Sequence, residues 1–177
     1  MKHRSLAPLL TVLAAAGYAI EGAIVVRAPQ PDSAWHTSGY VVEAAFVLAL
    51  VASLPLVGLL RYGTGRISAV AVWVTRAGFG AMLVSAIPSL VAGRNELGPL
   101  FLLGVLASVV GLVALSASAV RSRRGSWWSA PTVAAGLILS IALGDHGGGI
   151  LLGIAWAATG LARRDDRADD TVATATA

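Results

Sequence analysis

Four ionisable residues stand within or at the edge of long apolar stretches: Glu21, Glu43, Arg76 and Asp145. In a hydrocarbon environment a charge costs several kcal/mol unless it is paired, hydrated or neutralised, so each marks a place where chemistry is expected. Carboxyls so placed bind a cation, relay a proton or, kept neutral, donate one as a general acid. A guanidinium among them would serve as counter-ion. Two neighbours extend the set: His146 follows Asp145, and Tyr18 lies one turn before Glu21. At helical spacing Glu21 shares a face with Tyr18, Ala14 and Thr11, a narrow polar strip that should look into a bundle rather than out of it.

The elements that carry these residues follow from composition. The chain has 177 residues, 56% hydrophobic and only 12% charged, where a soluble domain carries about a quarter charged residues. Its charges are clustered, which leaves apolar runs of about 20 residues, long enough to cross a ~30 Å hydrocarbon core as helices. A soluble enzyme domain, a disordered chain and a nucleic-acid-binding module are thereby excluded. The absence of cysteine removes disulfides, thiolate metal sites, iron–sulfur clusters and cysteine nucleophiles. The reading is an all-α integral membrane protein, a compact bundle of six transmembrane helices with short loops, over residues 6–26, 39–60, 67–91, 97–120, 127–143 and 147–162. The last two spans come from one apolar stretch broken at Gly144-Asp145-His146-Gly147-Gly148-Gly149, where four glycines remove helix propensity. Pro55 and Pro88 fall inside spans and should bend them, whereas Pro99 and Pro131 fall near helix starts, where a missing N–H costs nothing.

Topology is read from basic residues. With six spans, Lys2, Arg4, Arg61, Arg66, Arg121, Arg123, Arg124, Arg163, Arg164 and Arg167 lie on one side, against Arg27 and Arg94 on the other. Both termini are therefore expected in the cytoplasm, as for a multi-pass protein of a plasma or bacterial inner membrane. Lys2-His3-Arg4 followed by an apolar run and Ala14-Ala15-Ala16 also has the outline of a secretory signal, but the run continues to Val26 and reads better as a first span. Residues 163–177 are polar and mixed in charge, and are expected to form a disordered cytoplasmic tail. Small residues recur four apart in several spans, among them Ala45, Ala49, Ser53 and Ala77, Ala81, Ser85, Ser89, which would let backbones approach closely.

Depth follows from the helical rise. Glu21 and Glu43 fall roughly 6–8 Å below the outer surface, with the Asp145-His146 turn on that same side and Arg76 near the midplane. Three carboxyls, an imidazole and a guanidinium thus converge on the outer half, and side-chain direction favours pairing Glu21 with Arg76. Each also has an ordinary structural alternative: a snorkelling Glu43, a purely structural Glu21–Arg76 pair, an exposed turn at Asp145 and His146.

The expected function is binding or transport of a cation, proton or small polar solute through an outward-facing acidic cavity, with Tyr18, Glu21, Glu43, Arg76, Asp145 and His146 as ligand-binding residues. One alternative is an intramembrane enzyme on a lipophilic, lipid-like or isoprenoid-like substrate, with Glu21, Glu43 or Asp145 as general acid. The other is an accessory subunit of a larger membrane complex. No cofactor or metal motif is present, and the expected partners are the lipid bilayer, a small cation or a lipophilic small molecule, without nucleic acid and with homo-oligomerisation open.

Overall fold

The computed structural model describes residues 6–27, 36–61, 65–94, 98–123 and 126–175, with side chains throughout these except at 145 and 163–175. Among the described residues there are six α-helices and no strand: α1 Ala7–Arg27, α2 Thr37–Leu56, α3 Arg66–Ala92, α4 Pro99–Ser122, α5 Ser129–Leu143 and α6 Gly148–Ala175. Two short 3-10 turns, Val57–Leu60 and Gly144–His146, extend α2 and close α5. Four helices (α1, α2 with its 3-10 turn, α3 and α4) are long and apolar enough to cross a membrane, while α5 and the segment Gly148–Ala162 of α6 are shorter apolar helices. The sixth helix does not stop at Ala162, where composition ends the last span, but continues as helical backbone to Ala175.

The helices pack in chain order, each against its neighbours, and α6 returns to α1 to close the sequence into a ring. The glycine contacts between neighbouring helices are those of antiparallel pairs. Gly17 of α1 meets Ala45 and Ala49 of α2, Gly111 of α4 meets Ala71 and Thr75 of α3, and Gly136 of α5 meets Leu152 and Ala155 of α6. Between α1 and α6, Gly22 lies on Ile150 at one end and Gly160 on Thr11 at the other.

The surfaces are inverted relative to a soluble bundle. Large side chains point outward, with Ile67 at 71% and Trp73 at 67% exposure. The helix contacts run over glycine, alanine, serine and threonine, including Ser53, Thr75 and Ser108, all buried. Helices that are apolar all round and joined through small residues are what lipid demands, because packing rather than apolar burial holds such helices together. Tyr18, Phe79, Leu50, Leu112, Leu152 and Trp156 fill the space between the contacts. On α3 the expected stripe Ala77, Ala81, Ser85, Ser89 is met in part: Ser85 and Ser89 are buried, but Ala77 is exposed, and the contact with α4 runs over Ala71, Thr75, Gly78 and Met82.

The turn between α5 and α6 falls where the glycines place it. Gly147 takes φ +85°, a conformation that strains any residue with a Cβ, and α6 begins directly after it. Pro99 occupies the first position of α4, and α2 changes from α to 3-10 geometry just past Pro55.

Candidate functional site

Glu43 lies in the second turn of α2 and retains 8% of its surface. Its Oε1 is buried and has no hydrogen-bond partner among the described residues. Burying a polar atom without a partner is costly, so an unpaired carboxyl oxygen calls for an account in terms of function. Across the α1–α2 seam stands Glu21, close enough to act on Glu43 electrostatically. Glu21 is half-buried, and its Oε2 occupies the space where a Cβ on Gly149 would sit. Gly149 is the second residue of α6, so this carboxyl rests against the first turn of a helix, where unpaired N–H groups present the positive end of the dipole. A Cβ at Gly149 would also stand 2.6 Å from the backbone oxygen of Tyr18, so only glycine allows α6 to start here.

One turn below Glu21, Tyr18 is buried and its hydroxyl donates to Ser53 Oγ at 3.4 Å, because Ser53 directs its own proton to the Ala49 carbonyl at 2.8 Å. The Tyr18 ring stands edge-on to Phe46, 6.2 Å between centroids. Glu21 and Tyr18 on α1, with Glu43 and Ser53 on α2, thus place four polar side chains along the α1–α2 side of the ring of helices. The two hydroxyls stand at the lower end of this set and the two carboxyls at the upper end.

Arg76 is elsewhere. Its Nε donates to the Leu54 carbonyl at 2.9 Å and its guanidinium to the Pro55 carbonyl at 3.4 Å, with the ring of Trp73 5.6 Å away. The expected pairing with Glu21 is therefore incorrect. The reason is local: α2 tightens into a 3-10 turn at Val57–Leu60, which turns carbonyls of its last α-turn toward α3, and Gly58 leaves room for the guanidinium. Arg76 caps a helix end, and α1, which carries Glu21, packs on α2 and α6 instead of α3.

His146 is exposed, and its Nδ1 lies 3.1 Å from the Leu143 carbonyl within its own turn, so it does not join the carboxyls. The side chain of Asp145 lies outside the described residues. The structure brings together Tyr18, Glu21 and Glu43, and leaves Arg76 and His146 apart from them.

Sequence reasoning missed two members of the site. Ser53 follows Glu43 by ten residues, which is one helical face, and that spacing mirrors the Thr11-to-Glu21 strip on α1. Gly149 had only the turn reading, because its role depends on which helix it meets. A third polar atom, Trp156 Nε1, is buried in the core without a partner, and nothing in its apolar helix marks it. Comparison with known proteins finds no matching protein family, no matching curated protein and no matching solved structure.

Proposed function

We propose that this chain is a six-span membrane protein, with both termini cytoplasmic, that binds a proton or small cation at the Glu21–Glu43 pair and passes it between the outer surface and the bundle interior. The observation that carries the reading is the buried Oε1 of Glu43, left without a partner among the described residues, with the Glu21 carboxyl within electrostatic reach. Two carboxyls within such reach repel when both are ionised, and a proton or a cation taken up by one of them relieves the repulsion. The α6 N-terminus supports a charge on Glu21, which leaves Glu43 as the group that takes up and releases the ion. A metal cation of the calcium or magnesium class needs about six oxygen ligands, more than this pair supplies, so the pair by itself favours a proton. The orientation rests on the ten-to-two distribution of basic residues between the two sides.

The test is covalent labelling with a hydrophobic carbodiimide, which reacts with protonated carboxyls in apolar surroundings. Mass spectrometry of the purified chain should find Glu43 modified, with modification suppressed at high pH or by a monovalent cation that binds. Protons or that cation should also raise the melting temperature by mass action, an effect lost in Glu43→Gln. An unmodified Glu43, together with a melting temperature indifferent to pH and to sodium, potassium and lithium, would refute the reading.

A further inference from the structure

The seam between α1 and α6 carries a second feature, on its outer face and away from the carboxyls. A groove of about 490 Å³ runs along it, floored by Thr11, Ala15, Gly153 and Gly160 and walled by Ala16 and Ala157. Its origin is in the sequence. Gly153 and Gly160 bring α6 onto α1 so closely that a Cβ on Gly153 would stand 2.6 Å from the Ala15 carbonyl oxygen, and the same lack of side chains leaves the outer side of the seam empty. The walls are exposed and apolar.

We propose that this groove holds one acyl chain of an anionic phospholipid. The lining on α1 runs from Pro8 to Ala19, roughly 16 Å at the rise of an α-helix, which is about half of a ~30 Å hydrocarbon core. The groove therefore has the reach of one leaflet. A helix from a second copy would be about 10 Å wide and would need a seam through the full thickness. Charge supports the same occupant. The end of the groove at Leu161 leads directly into basic sequence: Arg163 and Arg164 follow Leu161 by two and three residues on the continuous backbone of α6. An acyl chain lying between the helices would bring its phosphate toward that part of α6, the arrangement by which basic pockets between membrane helices retain acidic headgroups. The inference rests on the membrane assignment but not on the carboxyl pair.

The test uses the full chain purified from bilayers of equal phosphatidylglycerol and phosphatidylcholine, with retained lipid read by native mass spectrometry. The wild type should keep a single phosphatidylglycerol in preference to phosphatidylcholine. Arg163→Ala with Arg164→Ala should lower that preference roughly 25-fold, at about a fivefold effect per basic residue near the surface. Ala16→Phe with Ala157→Phe, whose rings would occupy the groove from its exposed walls, should abolish retention of both lipids while Glu43 remains open to carbodiimide, which separates failure here from failure of the ion-site reading. Circular dichroism confirms that the phenylalanine variant folds, and if it does not, the arginine variant decides alone. Equal retention of the two lipids by the wild type would overturn the proposal. So would retention unaffected by either pair of substitutions, or a dimer that the phenylalanines dissociate, which would assign the groove to a second copy.

Discussion

Arg76 and Glu43 are both ionisable groups set in apolar helices, and the molecule treats them in opposite ways. Arg76 finds its partners in the backbone: two carbonyls at the end of α2 accept from it, and Gly58 makes the space. Glu43 is more deeply buried, and one of its oxygens has no partner among the described residues. A guanidinium is a donor and helix ends offer free acceptors, so a cation can be satisfied by the fold alone. A carboxylate needs donors, and the helix interior around Glu43 has already used its N–H groups. The contrast separates a charge satisfied by the fold from one that the fold leaves unsatisfied.

The largest effect should come from breaking the satisfied charge. Arg76→Ala removes the side-chain donor to the Leu54 carbonyl and one of two donors to the Pro55 carbonyl, and should destabilise the protein by about 2–3 kcal/mol, the range for hydrogen bonds made by a charged group. Glu43→Gln should change stability by less than about 1 kcal/mol, since no existing bond is lost. Equilibrium unfolding of both variants in mixed micelles tests the ordering. A reversed order would mean that Glu43 is the structural group and Arg76 the dispensable one.

Next in size are two glycine substitutions that probe the same contrast from the neighbours' side. Gly149→Ala forces a Cβ into the Glu21 carboxyl and toward the Tyr18 backbone, which cannot yield, and should cost about 1–3 kcal/mol as overpacking does. It should also change the carbodiimide reactivity of Glu43, because Glu21 must move. In Gly58→Ala the new Cβ meets only the far end of the Arg76 side chain, at 2.8 Å. That end can swing away, so the expected cost is about 1 kcal/mol or less. Thermal unfolding of the pair, with labelling measured in parallel, should show disturbance of the site only for Gly149→Ala.

The helices, the break at Gly144 to Gly149 and the placement of Pro99 were legible in the sequence, because apolar length, glycine density and proline position act locally. Equal estimated depths also put Glu21 and Glu43 at one level on consecutive antiparallel helices, although side-chain direction pairs Glu21 with Arg76 instead. The pairing of Arg76 was not legible. Depth places a residue along the bundle axis but says nothing of which neighbour it faces, and the competing acceptors at Leu54 and Pro55 arise from a change of helix type that periodicity does not register. Helix order around the ring likewise depends on glycine-mediated fits such as Gly22 on Ile150, which exist only in three dimensions. The small-residue stripe on α3 is met at Ser85 and Ser89 but not at Ala77, for the same reason: small residues at four-residue spacing occur on two faces, and only the partner helix selects one.

The smallest expected effect concerns Tyr18 and Ser53, where satisfaction is intermediate between that of Arg76 and that of Glu43. The Tyr18 hydroxyl donates to Ser53 over 3.4 Å, at the long limit for such a bond. Ser53 keeps its shorter bond to Ala49 whether or not Tyr18 has a hydroxyl, and the ring keeps its edge contact with Phe46. Tyr18→Phe should therefore cost no more than about 0.5 kcal/mol. Ser53→Ala is not the mirror image, because it leaves a buried hydroxyl on Tyr18 without an acceptor, at about 1–3 kcal/mol. Adding Tyr18→Phe to Ser53→Ala should then restore most of the loss, and a double-mutant cycle of unfolding free energies reads the coupling directly. Additive losses would show that the two hydroxyls do not interact.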